Sequence, residues 1–179
     1  LINNAAVDMS NLFNLKTVDE FRRTLDVIVI GAYNCARTAA KRMQERQYGK
    51  IINIASTNGI NTYYPMSIDY DASKAALISL THNLAIQYAP YINVNAIAPG
   101  FIGTDSELEG YDEEFLKQEQ EKILLGRYGK PEEQIDTFRA MLGDQEIREY
   151  QPRRKHKEDP LPPLEIHSLQ KTMARIAVN

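Results

Sequence analysis

Lys50-Ile51-Ile52-Asn53-Ile54-Ala55-Ser56 is the stretch on which the reading of the fold turns. It is a short β-branched run set off by Tyr48-Gly49 on one side and by loop-forming residues on the other, as expected of a strand buried on both faces. Working downstream, residues 57–69 hold Gly59, Asn61 and Pro65 and read as a loop. Tyr70 to Tyr88 is rich in Ala and Leu at helical spacing, and Ile92 to Ala98 is a further strand stopped by Pro99-Gly100. Working upstream, Thr17-Val18-Asp19-Glu20 is a capping box. Behind it Phe21, Leu25, Ile28, Ala32, Cys35, Ala36 and Ala39 recur with helical period, predicting one long helix to about Gln44. Leu1 to Ala6 reads as the end of a buried strand followed by a turn. Helices alternating with buried strands predict an α/β chain with a parallel sheet.

Composition narrows the class. The 179 residues are 43% hydrophobic and 25% charged, with a formal net charge of −3, which is ordinary for a globular domain. No basic face of the kind nucleic acid requires is expected. No apolar run approaches the roughly 20 residues of a membrane helix. The single cysteine, Cys35, excludes an intrachain disulfide and fits a reducing compartment, so the cytoplasm is the default location. The chain opens on Leu1 in mid-strand, and a truncated start is the expectation. Residues 1–143 are read as one catalytic portion and 144–179 as a divergent or disordered tail. Within that tail Gln151 to Pro163 carries four prolines and a charge run, which reads as solvated linker rather than as a basic docking patch.

The chemistry-bearing residues gather at strand ends. Tyr70 and Lys74 lie four apart and share a helix face. A lysine ammonium close to a phenol favours the phenolate and lowers its pKa from the reference value near 10. Such a tyrosine can serve as a general acid or base near neutral pH. Alone, this spacing is common and weak. Ser56 ends a strand at the carboxyl edge, where open α/β sheets place ligands. Pro99-Gly100 ends the next strand at the same edge, with Thr104 close behind.

At this point the sequence resembles the short-chain dehydrogenase/reductase family, within it the branch of 3-oxoacyl-carrier-protein reductases. The resemblance rests on five motifs in order. These are Asn3-Asn4-Ala5-Ala6, Ile52-Asn53-Ile54-Ala55-Ser56, Tyr70-Asp71-Ala72-Ser73-Lys74 (YxxxK), Val94-Asn95-Ala96-Ile97-Ala98-Pro99-Gly100, and Arg127-Tyr128-Gly129-Lys130-Pro131-Glu132-Glu133. It implies a partial doubly wound, Rossmann-like parallel sheet and interconversion of a carbonyl and a secondary alcohol with NAD or NADP. Ser56, Tyr70 and Lys74 would be catalytic. Tyr70 would pass the proton, Ser56 would hold the substrate oxygen, and Lys74 would bond the nicotinamide ribose. Asn3, Ala5, Pro99, Gly100, Ile102 and Thr104 would contact the cofactor beside Tyr70 and Lys74, and no metal is implied. The substrate would be a small carbonyl or alcohol, or an acyl thioester. The helices over Val18–Gln44 and Tyr70–Tyr88 would form the seam of a homo-oligomer in a full-length parent.

Three departures temper that expectation. The glycine-rich turn and the first three strands of the family pattern do not occur, so the choice between NAD and NADP is not encoded here. The family's catalytic asparagine falls at Ile28, which cannot hydrogen-bond; slower proton supply is expected, and Ile28→Asn should raise turnover. After Glu133 the match fades into an irregular tail; with the family's first and last strands missing, the strand ending in Asn3 and the Ile92–Ala98 strand are each expected to be left with one unpaired edge. The competing reading is a non-catalytic remnant that keeps only the association helices.

Overall fold

The computed structural model describes residues 1–61, 63–142 and 176–178. Its described residues fall into two compact units, the first holding Leu1–Ala98 and the C-terminal strand, the second beginning at Pro99.

The first unit is built on four parallel strands. They are β1 (Ile2–Asn3), β2 (Gly49–Ile54), β3 (Ile92–Ala98) and β4 (Ile176–Val178), side by side in chain order. Ile2 stands opposite Ile52, Ile51 opposite Val94, and Ala96 opposite Ile176. The α/β reading is therefore correct, while the expected unpaired edge on Ile92–Ala98 is not. β4 runs along Ala96 to Ala98, within a stretch whose sequence is only faintly strand-like. Residues 144–175 and 179 of the expected tail, and residue 143 before it, lie outside the described residues.

Thr17 caps α1 (Val18–Leu25) as the capping box predicts: the Glu20 amide donates to Thr17 Oγ1 at 3.2 Å and the Thr17 amide to Glu20 Oε2 at 2.6 Å. The predicted single helix is interrupted. Asp26–Ile30 forms a π turn, in which the Gly31 amide reaches back five residues to the Asp26 carbonyl, before α2 (Gly31–Glu45) resumes. After β2, Ser56 caps a 3₁₀ turn at Thr57–Gly59. The helix α3 (Ile68–Tyr88) starts two residues before Tyr70 and runs to the strand β3.

One sheet face is covered by α2 and α3. Ala36, Ala40 and Met43 from α2 and Leu84 and Ala85 from α3 pack against Ile51, Ile92 and Val94. The small alanines let the helices lie close to the strands, and burial of these side chains is the main source of stability. Because all strands are parallel, Asn3, Ile54 and Ala98 end at one edge of the sheet.

The second unit carries short elements: α4 (Asp105–Leu108), α5 (Glu113–Glu121) capped by Asp112, and α6 (Pro131–Leu142). Asp105, Glu109, Asp112, Glu113 and Glu114 are exposed, as a solvated acidic face requires. Arg127 grips Glu133 through both guanidinium nitrogens, at 3.0 and 2.7 Å, and holds that carboxyl down to about 2.

Candidate active site

Ser56 leaves β2 in an extended conformation and its side chain turns back on the 3₁₀ turn, where Oγ accepts the Asn58 amide at 3.2 Å. It is 8% exposed, so little of it meets water. Gly59 closes that turn directly over α3. A Cβ on Gly59 would meet the backbone of Lys74 and Ala75 at 2.7–2.9 Å, so only glycine lets the serine turn lie this close to the helix.

Lys74 sits beneath this junction, 2% exposed. Its Nζ donates to the Ile54 carbonyl at 2.6 Å, two residues before Ser56, and lies 5.2 Å from the centroid of the Tyr70 ring. Removal from water pushes its pKa down from 10.5 to about 8. Tyr70 is half-buried and packs on the cluster of Ile28, Ala32 and Leu77. The serine turn, the tyrosine and the lysine are thus brought together by β2 and one face of α3.

Two polar networks fix this region. In the first, Asp69 is fully buried at the start of α3; Lys16 Nζ donates to its Oδ1 and Thr24 Oγ1 to its Oδ2, both at 2.6 Å. Burial alone would raise that carboxyl, yet the bonds from Lys16 and Thr24 outweigh it and hold the group below the usual range. Lys16 also donates to the Met9 carbonyl, and Ser67 Oγ to Asp8 Oδ2 at 2.8 Å, tying residues 8–17 to the mouth of α3. In the second network, Asn58 Nδ2 donates to Asp71 Oδ1 at 2.7 Å, and Asp71 Oδ2 accepts the Tyr64 amide at 3.2 Å.

The remaining predicted residues have other surroundings. Asn3 turns its amide to Asn53 Oδ1 at 2.8 Å, and Asn53, fully buried, donates on to Thr81 Oγ1 at 2.8 Å, which links β1, β2 and α3. Ala5 is exposed just beyond β1. Pro99, Gly100, Ile102 and Thr104 belong to the second unit, where Ile102 bridges to Gly129, the Gly129 amide donates to the Phe101 carbonyl at 3.0 Å and the Gly103 amide to the Gly129 carbonyl at 2.9 Å. Ile28 fills the middle of the π turn at 1% exposure.

Sequence reasoning passed over Lys16, Asn58, Asp69 and Asp71. Asp69 and Asp71 read as first-turn acids that favour a helix N-terminus, and nothing local marks one as buried and the other as a clamp. Among the described residues no group of three His, Cys, Asp or Glu is arranged to hold a metal, and no helix is long and apolar enough to cross a membrane.

Comparison with known proteins follows the same outline. The family model for short chain dehydrogenases matches residues 1–114. A 3-oxoacyl-[acyl-carrier-protein] reductase FabG of Aquifex aeolicus (strain VF5) is 36% identical over 134 residues, 74% of this chain and 53% of that protein. A 3alpha-hydroxysteroid dehydrogenase of Mediterraneibacter gnavus is 36% identical over 145 residues, 80% of this chain and 57% of that protein. Among solved structures, a 4-hydroxyisoleucine dehydrogenase mutant complexed with NADH and succinate superposes with a TM-score of 0.76 at 31% identity, covering 81% of this chain and 60% of that one. ElxO with NADP bound gives 0.75 at 27% identity, covering 82% and 60%. The chain spans a little over half the length of the curated relatives it matches.

Proposed function

The chain belongs to the short-chain dehydrogenase family, and from that premise we propose that it is the proton-transfer portion of an NAD- or NADP-dependent oxidoreductase that interconverts a carbonyl and a secondary alcohol. One observation carries the reading: a buried ammonium on the face of the Tyr70 ring, hydrogen-bonded to the strand that presents Ser56.

In this reading Ser56 donates a hydrogen bond to the substrate oxygen and Tyr70 gives that oxygen a proton in reduction or takes one in oxidation. The Lys74 ammonium favours the phenolate that remains, since an adjacent positive charge stabilises the ionised phenol. An ammonium offers three donors, and the Ile54 carbonyl accounts for one; the donor set therefore fits sugar hydroxyls of a nicotinamide nucleotide as well. When bound, that nucleotide supplies or accepts the hydride. Asn3, Ala5, Pro99, Gly100, Ile102 and Thr104 are proposed to serve it alongside Tyr70 and Lys74. The substrate class follows the relatives: small alcohols and ketones, or acyl thioesters. Self-association through the faces of α1 to α3 is proposed on the same footing.

The test is a titration with NADH and NADPH followed by nicotinamide fluorescence, then turnover of a simple ketone and of a 3-oxoacyl thioester. Binding with turnover is expected, and Tyr70→Phe should lower kcat by roughly 100-fold or more. Silence with both nucleotides would instead favour a non-catalytic remnant.

A further inference from the structure

We propose that Asn58 and Asp71 are positioning residues that aim the Ser56 hydroxyl, a role that rests on the reading of Ser56 as the group holding the substrate oxygen. A carboxylate only accepts hydrogen bonds. Asp71 Oδ1 at 2.7 Å therefore fixes which end of the Asn58 amide faces it: the nitrogen turns to Asp71 and the oxygen is left toward Ser56. Ser56 consequently meets a donor and an acceptor from the same residue. Its Oγ accepts the Asn58 backbone amide at 3.2 Å, and its own hydrogen rests on Asn58 Oδ1 at 3.5 Å.

That second contact is long for an O–H···O bond, which is strongest near 2.7–2.8 Å. A hydrogen held on so weak an acceptor swings to an arriving carbonyl oxygen at little cost, while the amide from Asn58 keeps the oxygen atom in place. Asp71 directly follows Tyr70 on α3 and its other oxygen takes the Tyr64 amide. One carboxylate thus locks the serine turn, the segment before α3 and the first turn of the tyrosine's helix to one another. All three partners are buried or half-buried, so water competes weakly for these bonds.

Three double-mutant cycles test the proposal, the first of them separately from the function. In urea unfolding of the whole chain, Asn58→Ala, Asp71→Ala and the double variant should couple by roughly tenfold in the unfolding equilibrium constant; additive effects overturn the clamp, whatever the activity. In turnover, Asn58→Ala and Asp71→Asn should each lower kcat by about tenfold with nucleotide KM unchanged, and neither should lower it further in a Ser56→Ala background. An undiminished loss in that background overturns the aiming role, because Asn58 would then act other than through Ser56. A wild-type chain that binds no nucleotide and turns nothing over refutes the proposed function and the serine's part with it, while the clamp still stands or falls on the urea cycle.

Discussion

A lysine ammonium is a compact, strongly hydrated charge, and placing Lys74 at 2% exposure deprives it of nearly all its water. The hydrogen bond to Ile54 and the Tyr70 ring compensate only in part, which is why the group titrates near 8 instead of 10.5. Below pH 8 the lysine is protonated in both folded and unfolded chains and the burial cost is fully present. Between 8 and 10.5 the unfolded chain binds the proton and the folded one does not, so stability rises with pH; above 10.5 the cost is gone. Wild type measured against Lys74→Met should gain on the order of 3 kcal/mol across that window. Urea midpoints taken from pH 7 to 11 check it, and a flat difference between the two proteins refutes it. The same residue that weakens the fold at neutral pH is the one the proposed chemistry cannot lose, a local conflict of the kind expected at functional sites. Ile28 is the opposite case. It satisfies the core, packed with Ala32 and Leu77 against Tyr70.

At the scale of elements, the site depends on how closely the serine turn lies on α3. Gly59→Ala would drive a methyl into helix backbone at 2.7–2.9 Å, and backbone cannot step aside as a flexible side chain can. The turn should lift, costing about 1–3 kcal/mol in urea unfolding, with Ser56 displaced and kcat reduced while nucleotide affinity is kept. An alanine variant as stable and as active as wild type would refute the close approach. The opposite side of α3 is held by Lys16 and Asp69. Removing one partner of a buried pair leaves the other charge uncompensated, so Lys16→Met should cost roughly 3 kcal/mol at pH 7. Asp69 has its carboxyl depressed in the fold; the stability it contributes is present above the unfolded carboxylate range and is lost as pH falls through the folded value. The advantage of wild type over Asp69→Asn should therefore shrink on acidification below about pH 4, and an advantage independent of pH would speak against the ion pair.

For the whole molecule, the question is which strand edges are covered. β3 is paired on both sides, by β2 and by β4. Ending the chain before Ile176 removes β4 and exposes a row of unpaired backbone groups along Ala96 to Ala98, a template for association. Such a variant should show a lower urea midpoint and more self-association in sedimentation than the intact chain; identical behaviour would mean that β4 contributes nothing. The two compact units meet in sequence at Ala98 and Pro99, where a proline that cannot donate to a ladder ends the strand.

Periodicity and local chemistry were sufficient for much of this. The alternation of β-branched strands with helices, the capping box at Thr17 and the sharing of one helix face by Tyr70 and Lys74 all follow from signals within a few residues of each other. Their physical causes are equally local: side-chain period, backbone capping and the geometry of parallel strands. Only the tertiary structure decided what depends on partners distant in the chain. It paired Ile176–Val178 with β3, buried Asp69 against Lys16 and left Asp71 to hold Asn58, though Asp69 and Asp71 read alike as first-turn acids. It also opened the helix at Asp26–Ile30 into a π turn, where the sequence continues an unbroken helical period. Burial and long-range pairing have no signature in a residue's immediate neighbours, because they are properties of what the folded chain brings beside it.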